Sequence, residues 1–346
     1  MIKNNKWLPA VILICLGSLL IGCNNSQKSD VLSSWSEDSA TKKEIVNFVE
    51  AVTDKDSSDF VPVQDRIATF DMDGTILCEK QYWIELAVAI YHIQNDLQDN
   101  KELNEKLNTL LTDLNTVPEP AETGILIEQV TGEAFAGVSE EEFVNYVSNF
   151  MELPKEDFED LTYGDSFYKP MLELIQYLRD NDFHVYLVSG SERGVVWGSA
   201  EGVIDLERGN MIGSDMQLIP SNYDSSNLEY IFQPDDELVR GSTFSHTDVK
   251  LDKVYNIYHQ IGKKPIFACG NTDGDFSMLN FARSNSYRNL SVLICHDDNE
   301  REYDYHVEER PVWNKYAEQY GWKIVSMKNE FEAIFLKDGK KVNITP

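Results

Sequence analysis

The stretch that decides the fold is "RIATFDMDGT", which runs from Arg66 to Thr75. Mostly apolar residues fill its first part, and Asp71, Asp73 and Gly74 follow before it ends. A short apolar run that stops abruptly at polar residues is typical of a buried strand. The two aspartates carry like charges one residue apart, which is unfavourable unless a cation neutralises them. The stretch therefore predicts a buried strand with a cation site at its end.

The chain after residue 164 alternates between strand and helix patterns. Short apolar runs predict strands in "FHVYLVSGS", "KPIFACGNTDGD", "NLSVLICHDD" and "GWKIVSM", with helical patterns such as "VKLDKVYNIYHQIG" between them. This alternation predicts an α/β fold, a Rossmann-like parallel sheet with helices on both faces. Ligands bind such sheets at the carboxyl ends of the strands. At those ends the chain has Asp71, Ser189, Asn271 and Asp275.

Residues 79–164 have a different pattern from the rest of the chain. Helical segments such as "QYWIELAVAIYHIQNDL" and "NEKLNTLLTDL" alternate with short polar breaks, and no clear strand is visible. We therefore predict an all-helical cap over residues 79–164, inserted into an α/β core of residues 41–78 and 165–346. At the start of this core, "TKKEIVNFVEAVTD" has the apolar spacing of an amphipathic helix.

The first 23 residues predict an export signal. Lys3 and Lys6 precede an apolar run that ends in "LIGC" at Cys23. This ending resembles a bacterial lipobox, which implies that Cys23 is lipidated and that the exported chain meets the membrane only through a lipid anchor. The alternative is an uncleaved transmembrane anchor. Residues 24–40 are rich in Ser, Asn and Asp and predict an extended or disordered tether.

Charge and cysteine content exclude several classes of protein. The net charge is −29, from 59 acidic and 30 basic residues, which argues against nucleic-acid binding because phosphates require a basic surface. Cys78, Cys269 and Cys295 are an odd number without CxxC spacing, so neither a disulfide framework nor a zinc site is indicated. The composition suits an exported enzyme or a protein that holds cations, and it indicates no protein partner.

Paired carboxylates at a strand end suit a hard divalent cation. Mg²⁺ prefers oxygen ligands and completes its shell with water and substrate phosphate. "GNTDGD", Gly270 to Asp275, offers further oxygen ligands at a second strand end. A carboxylate beside Mg²⁺ can also attack phosphorus to give an aspartyl-phosphate. A neighbouring carboxyl group can protonate the leaving oxygen and later deprotonate water.

Four motifs, in order, resemble those of the haloacid dehalogenase superfamily. "FDMDGT" resembles motif I, "LVSGS" motif II, and Lys250 in "HTDVKLDKV" the motif III lysine, with Lys253 as the alternative. "ACGNTDGDFSML" resembles motif IV of the phosphoserine phosphatase-like branch, which is related to the phosphorylcholine phosphatases. The resemblance covers roughly residues 62–330. It implies a Mg²⁺-dependent phosphatase, here as a bacterial lipoprotein, that acts on a small phosphomonoester.

The resemblance also assigns roles to residues of the first three motifs. Asp71 would be the nucleophile and a metal ligand. Asp73 would be the general acid and base, with its backbone carbonyl on the metal, and Thr75 would steady the loop. The groups that would hold the transferring phosphoryl group are Ser189, Gly190 and Lys250. Capping of the following helix is the alternative role for Ser189.

Motif IV departs from the family pattern at one position. Asn271 stands where the family commonly has aspartate, so it offers Mg²⁺ an oxygen without a charge. The resemblance then places Asp275 and Asp273 among the metal ligands, with Asp275 as the best match to the second acidic position. A turn-forming role is the alternative for Asp273.

The composition of the predicted cap bears on the substrate. Residues 76–165 contain 20 acidic residues, four lysines and no arginine, which disfavours phosphoserine because its carboxylate requires a cation. Glu79, Tyr82, Trp83 and Glu85 place aromatic faces beside carboxylates, as in sites for quaternary ammonium groups. Phosphocholine is therefore a candidate substrate, and Arg193 is a further candidate pocket residue. Packing in the cap core is the alternative role for the two aromatic residues.

Two alternative functions follow from the same residues. One is a phosphoserine phosphatase or phosphotransferase of the same fold. The other is a surface lipoprotein that binds a ligand on a phosphatase scaffold without catalysis, for which Asn271 is the only indication.

Overall fold

The structure is a computed structural model that describes residues 31–116, 122–227 and 229–342. From Leu32 onward the chain forms one compact unit. The predicted signal, the lipidation site Cys23 and residues 24–30 of the predicted tether lie outside the described residues. In the described part of the chain, no helix combines the length and apolarity needed to cross a bilayer.

The described chain contains eleven α-helices and nine strands. The helices are α1 (Ala40–Thr53), α2 (Ile84–Asn95), α3 (Lys101–Leu114), α4 (Thr123–Ala134), α5 (Glu140–Phe150), α6 (Lys169–Asp180), α7 (Arg193–Ala200), α8 (Asp252–Ile261), α9 (Phe276–Arg283), α10 (Arg310–Tyr320) and α11 (Met327–Glu330). The strands are β1 (Ile67–Phe70), β2 (Phe158–Glu159), β3 (His184–Glu192), β4 (Met211–Pro220), β5 (Leu238–His246), β6 (Phe267–Gly270), β7 (Leu290–Cys295), β8 (Lys323–Ser326) and β9 (Lys340–Lys341).

Seven strands form the main sheet in the order β5-β4-β3-β1-β6-β7-β8. All neighbouring pairs are parallel except β4 and β5, which are antiparallel. The predicted α/β fold with a mostly parallel sheet is thus confirmed. The antiparallel edge strand β5 was not predicted, because β4 and β5 both contain several polar residues and lack a clear apolar run.

Helices cover both faces of the sheet. Ile257 of α8, Met278 of α9 and Trp313 of α10 share one buried cluster with Ala268 of β6. The preceding residue, Phe267, points to the opposite face because side chains alternate along a strand. There its ring contacts Phe48 of α1, with centroids 6.2 Å apart. All four residues of β1 are buried between these layers.

The N-terminal helix forms as its sequence predicts. Ile45, Phe48, Val49 and Val52 of α1 are buried on one face, and the Ser39 side chain caps the helix by accepting from the Lys42 amide. The described segment just before α1 departs from the predicted tether. Trp35 is only 1% exposed, and its Nε1 donates to the Pro170 carbonyl oxygen at 2.9 Å. The chain is therefore packed from Leu32 onward, because the tryptophan provides an apolar anchor within an otherwise polar segment.

Helices α2 to α5 lie within the predicted cap and pack against the core through α7 and β5. A Cβ on Gly198 of α7 would lie 2.6 Å from the Val144 carbonyl oxygen of α5. A Cβ on Gly132 of α4 would lie 2.5 Å from the Ser242 carbonyl oxygen of β5. Glycine at these two positions therefore permits close backbone approach. The segment is not wholly helical, since Phe158–Glu159 pairs with Lys340–Lys341 as a two-stranded ribbon.

Candidate active site

The carboxyl ends of three neighbouring strands bring the predicted motifs together. Strand β1 lies between β3 and β6, so Asp71 and Asn271 directly follow adjacent elements of the sheet and Ser189 lies in the last part of β3. The Asp71 amide donates to the Cys269 carbonyl oxygen at 2.9 Å, which extends the β1–β6 pairing to the first aspartate. Ser189, Asn271 and Asp71 are at most 6% exposed. The site is therefore built on the rigid end of the sheet.

Lys253 of α8 is the cation at the centre of the site. Its Nζ lies 2.6 Å from Asp71 Oδ1 and 2.7 Å from Asp275 Oδ1, and the lysine is 3% exposed. Burial lowers the pKa of Lys253, but the charges of Asp275 and Asp71 raise it by more, so the ammonium stays charged. Burial and the Asp275 charge raise the pKa of Asp71, and Lys253 opposes them. One ammonium thus joins two carboxylates at the ends of adjacent strands.

Lys250 does not occupy this position. Its side chain is 71% exposed and its Nζ lies 3.8 Å from Oδ2 of Asp273, which is also exposed, although Lys250 still lines the cavity. Lys253, the alternative that the sequence left open, therefore lies at the position predicted for Lys250. Lys250 precedes α8 with φ of 54°, whereas Lys253 sits in the first turn of the helix, which points it at the sheet.

Asp73 is held by two donors on the side of the cap. Its Oδ1 accepts from the Ile84 amide at the start of α2, and its Oδ2 accepts from the Ser191 hydroxyl, both at 2.8 Å. Burial raises the pKa of Asp73 to about 6, although both hydrogen bonds lower it. A carboxyl group with such a pKa can exchange a proton near neutral pH. Ser191 was not predicted as a site residue.

The loop between the aspartates and Thr75 requires glycine at position 74. Gly74 has φ of +72°, and a Cβ there would lie 1.8 Å from Asn271 Nδ2. Thr75 is fully buried, and its hydroxyl donates to Asp71 Oδ2 at 3.0 Å. Thr75 thus orients the carboxylate of Asp71, in agreement with the supporting role expected for it.

The motif IV loop is organised by Asp275. Its Oδ2 accepts from the amides of Asn271 and Thr272, at 2.9 and 3.1 Å, while its Oδ1 faces Lys253. Both oxygens therefore have partners, so Asp275 positions the lysine and the loop, and its direct contact with a metal stays a prediction. Asp273 is 62% exposed and does not line the cavity.

Two side-chain oxygens, one of Asp71 and one of Asn271, are placed so that they could bind a Mg²⁺ ion. Asp71 Oδ2 and Asn271 Oδ1 lie 3.0 and 3.4 Å from the same Thr75 hydroxyl. Asn271 Nδ2 donates to Glu79, and this hydrogen bond orients the amide oxygen of Asn271 towards Asp71. Among the described residues, no group of three or more His, Cys, Asp or Glu side chains forms a metal site. Mg²⁺ needs few protein ligands because it keeps water and phosphate oxygens. The donor set therefore fits Mg²⁺ and not a fully protein-enclosed metal.

Strand β3 is irregular where it enters the site. Its pairing with β4 shifts register between Val188 and Glu192, as at a β-bulge. Ser189 and Gly190 line the cavity, and Ser214 of β4 donates its hydroxyl to the Gly190 carbonyl oxygen at 2.7 Å. The irregularity thus turns the tip of β3 towards the cavity, where both residues had been predicted.

A cavity of about 410 Å³ lies between this sheet edge and the cap. From the cap side it is lined by Glu79, Trp83, Glu85, Gly124, Ile127, Glu128 and Thr131. Glu85 is 9% exposed, and its Oε1 is buried without a hydrogen-bond partner among the described residues. Burial and the Glu192 charge raise the pKa of Glu85 to about 8. The described cap residues that line the cavity thus offer carboxylates and one large aromatic ring.

Two of the five predicted substrate residues do not reach this cavity. Tyr82 lines a separate cavity beside Tyr91 and Phe150. Arg193 pairs with Asp215, with Nε 2.6 Å from Oδ1, and lines a surface groove. Glu79, Trp83 and Glu85 do line the main cavity. Glu79, Tyr82 and Trp83 lie in the segment before α2, whose path is not readable from the sequence.

Comparisons with solved structures concern the fold. A conserved protein of unknown function from Anaerococcus prevotii is similar with a TM-score of 0.51 and 14% identity, over 83% of this chain and 91% of that one. Cytosolic 5'-nucleotidase IIIB bound to cytidine gives a TM-score of 0.49 and 12% identity, over 82% and 84% of the two chains. A phosphoserine phosphohydrolase-like protein from Francisella tularensis gives 0.38 and 15%, over 72% and 92%. No protein-family model matches the sequence, and no curated protein matches it.

Proposed function

We propose that this protein is a Mg²⁺-dependent phosphomonoester hydrolase of the haloacid dehalogenase superfamily. The observation that carries the proposal is the Lys253 ammonium held between Asp71 and Asp275, at 2.6 and 2.7 Å, with Asp73 two residues along the same loop. A nucleophilic carboxylate, a cation and a second carboxyl group that can exchange a proton are the groups that phosphoryl transfer through an enzyme-bound phosphate requires. A bound Mg²⁺, held by Asp71 and Asn271, would neutralise negative charge on the phosphoryl oxygens.

The reaction then follows from the placement of the side chains. An oxygen of Asp71 bonds to phosphorus while the bond from phosphorus to the leaving oxygen breaks, and Asp73 donates its proton to that oxygen. Asp73 next accepts a proton from water as the water oxygen bonds to phosphorus, and the bond between Asp71 and phosphorus breaks. Lys253 stabilises the charge at the reacting oxygens, and Thr75 keeps the Asp71 carboxylate in orientation.

The substrate that we propose is a small phosphoester with a cationic leaving group, such as phosphocholine. Glu79, Glu85 and Glu128 approach the cavity from the cap beside Trp83, whereas its lining lysines, Lys250 and Lys253, come from the core. A cation next to Glu85 would favour the ionised carboxylate and would offset electrostatically the cost of its buried, unpartnered oxygen. Aromatic faces beside carboxylates bind quaternary ammonium groups in this way.

The test is phosphate release from a panel of phosphomonoesters. The panel contains p-nitrophenyl phosphate, phosphocholine, phosphoethanolamine, phosphoserine and a sugar phosphate, each with and without Mg²⁺. We expect Mg²⁺-dependent release, fastest from a cationic ester. Inactivity on every ester would contradict the proposed reaction, and equal rates on neutral and cationic esters would contradict only the proposed substrate class.

Glu85→Gln tests the proposed recognition directly. This substitution keeps the shape of the side chain and removes its charge. It should lower kcat/KM for phosphocholine by about tenfold or more and leave p-nitrophenyl phosphate within about threefold. Glu105→Gln, on the exposed surface of α3, is the matched control. An unchanged ratio between the two substrates in Glu85→Gln would exclude the role of Glu85.

We also propose that the protein is exported and lipid-anchored through Cys23. The support is the N-terminal sequence alone. Metabolic labelling with a fatty acid should label the wild-type chain, and Cys23→Ser should abolish the label while the chain remains detectable by antibody. Equal labelling of both chains would contradict lipidation at this cysteine.

A further inference from the structure

A buried histidine–glutamate pair lies beneath the loop that carries the two aspartates. His296 directly follows β7 and is 3% exposed, and Glu302 is fully buried. The His296 Nε2 lies 2.7 Å from the Gly74 carbonyl oxygen, and its Nδ1 lies 3.1 Å from Glu302 Oε2. The pair thus connects the loop after β7 to the middle of the motif I loop. Neither residue belongs to the reaction described above.

The hydrogen-bond partners define the protonation of the ring. Glu302 accepts from the Tyr168 hydroxyl at 2.9 Å and from the Tyr303 amide at 2.7 Å, as an ionised carboxylate does. Nδ1 of His296 faces this carboxylate, and Nε2 faces a carbonyl oxygen, which can only accept. Both ring nitrogens must therefore donate, so His296 is an imidazolium.

The surroundings favour this ion pair. Burial lowers the pKa of His296, but the Glu302 charge and hydrogen bond more than offset it, so the pKa lies above the ordinary value. Burial likewise raises the pKa of Glu302, and the His296 charge and hydrogen bonds lower it below its ordinary value. The ring of Tyr305 stacks on His296 with centroids 4.3 Å apart and fixes the plane of the imidazole.

Gly74 is the point at which this pair can control the site. Its peptide lies between Asp73 and Thr75, and its amide donates to the Leu77 carbonyl oxygen at 2.7 Å within the loop. Asn271 packs against its Cα, since a Cβ there would overlap the amide nitrogen. Asn271 thus contacts Gly74 at its Cα, and the His296 imidazolium contacts it at its carbonyl oxygen. Rotation of this peptide would break the bond to His296 and would move both neighbouring site residues.

We propose that His296, held by Glu302, is a positioning residue that fixes the Gly74 peptide and thereby the placement of Asp73 and Thr75. A charge-assisted hydrogen bond is stronger than a neutral one, and the paired carboxylate leaves the net charge of the site unchanged. The role in turnover rests on the proposed phosphatase function. The positioning itself is a property of the loop, so it can be measured separately from turnover.

Matched variants separate positioning from simple stability. Glu302→Gln keeps the shape but removes the charge that stabilises the imidazolium, whereas Tyr168→Phe removes another partner of Glu302 and leaves the His296 bond in place. We expect kcat to fall by about tenfold or more in Glu302→Gln, with KM within about threefold, and to stay within about twofold in Tyr168→Phe. His296→Gln should recover part of the activity lost in His296→Leu, because its amide can donate to Gly74. Equal kcat losses in Glu302→Gln and Tyr168→Phe would overturn the proposal.

Nitrogen NMR of the full-length protein provides a readout that does not depend on turnover. In the wild type both ring nitrogens of His296 should still carry protons at pH values above the ordinary pKa of histidine, about 6.5. The Asp73 and Thr75 amide resonances should shift in Glu302→Gln and not in Tyr168→Phe. If the wild type hydrolyses no phosphomonoester but these signals are seen, the proposed function fails and the positioning stands. A neutral ring at about pH 7, or unshifted amides, would overturn the positioning.

Discussion

Two buried clusters, each built around one cation, differ in how completely their carboxylates are used. In the core, Lys253 joins Asp71 and Asp275, and every carboxylate oxygen of these two residues has a partner. Near the cap, Arg240 makes two hydrogen bonds to Glu192, with Nη2 2.6 Å from Oε2, and lies 3.6 Å from Glu140. Arg240 Nε, Glu140 Oε2 and Glu85 Oε1 have no hydrogen-bond partner among the described residues.

The polar atoms around Lys253 are paired, as expected of groups that react, whereas three polar atoms near the cap have no hydrogen-bond partner among the described residues. Groups that stabilise a transition state act best when they are already fixed, as in the Lys253 cluster. A buried carboxylate oxygen without a partner is costly unless a ligand satisfies it. The reactive groups are thus fully paired, while one of the three unpartnered atoms, Glu85 Oε1, belongs to a residue that lines the cavity from the cap side. Substitutions in the first cluster should act on the rate, and substitutions in the second on stability or selectivity.

The sharpest test of this comparison removes one carboxylate charge from each cluster. Asp71→Asn should abolish phosphatase activity, by a factor on the order of 10⁴ or more, because the amide cannot attack phosphorus. Glu192→Gln makes the same chemical change beside Arg240 and should keep activity on p-nitrophenyl phosphate within about tenfold. Steady-state rates of both purified variants provide the measurement. Full activity in Asp71→Asn would refute the mechanism.

A pair of lysines tests which cation acts in the site. Lys253→Met removes the ammonium between the two aspartates and should lower kcat by about 10²–10³-fold. Lys250→Met makes the same substitution on a side chain that is 71% exposed, so kcat should change by less than about threefold. A larger loss in Lys250→Met than in Lys253→Met would reverse the assignment made from the structure.

The sequence was sufficient to predict the sheet and the ends of its strands. Asp71, Ser189 and Asn271 follow apolar runs, and parallel strands bring such ends to one edge. The identity of the lysine could not be fixed in the same way. Lys250 and Lys253 lie on either side of the start of α8, and a difference of one helical turn decides which side chain is buried. The first residue of α8 is set by packing, because no side chain caps the start of this helix.

Contacts across the cavity were also beyond the reach of the sequence. Ser191 reaches Asp73 because the strand is irregular at its tip, and pattern analysis does not place such bulges. Glu85 was predicted together with Glu79, Tyr82 and Trp83, but the sequence could not show that its Oε1 is buried without a partner, because that depends on every neighbouring element. The contacts of Arg240 could not be predicted for the same reason, since Arg240 lies in the unpredicted strand β5.

The geometry of the motif I loop gives the next prediction. Gly74→Ala should lower kcat by about 10- to 100-fold, because the new Cβ would displace Asn271 as well as strain the backbone. Gly262→Ala is the matched control, since Gly262 has the same φ of +72° and its Cβ would meet nothing within 4 Å. The control should lose only about 1–2 kcal/mol of stability and keep its activity. Equal kcat in the two variants would show that the contact with Asn271 is unimportant.

Substitution of Arg240, the cation of the cluster near the cap, should change the rate least and should change the stability strongly. Arg240→Met should reduce the free energy of unfolding by about 3–5 kcal/mol, because it leaves Glu192 buried without its partner. Arg208→Met removes an exposed ion pair to Glu141 and should cost less than about 1 kcal/mol. Activity of the folded Arg240→Met protein on p-nitrophenyl phosphate should stay within about threefold of wild type.

The loss of stability in Arg240→Met should also depend on pH, with a definite sign. Burial raises the pKa of Glu192 to about 7 even beside Arg240, which lowers it, so removal of the arginine raises it further. A carboxyl group with a folded-state pKa above its unfolded value, about 4.3, binds more protons in the folded state. The stability deficit of Arg240→Met should therefore stay nearly constant below pH about 7, where Glu192 is protonated in both folded proteins, and grow as pH rises above about 7. Urea unfolding at pH about 6 and at pH about 9 measures it. A deficit that is larger at the lower pH would show that Glu192 is not the group left unpaired.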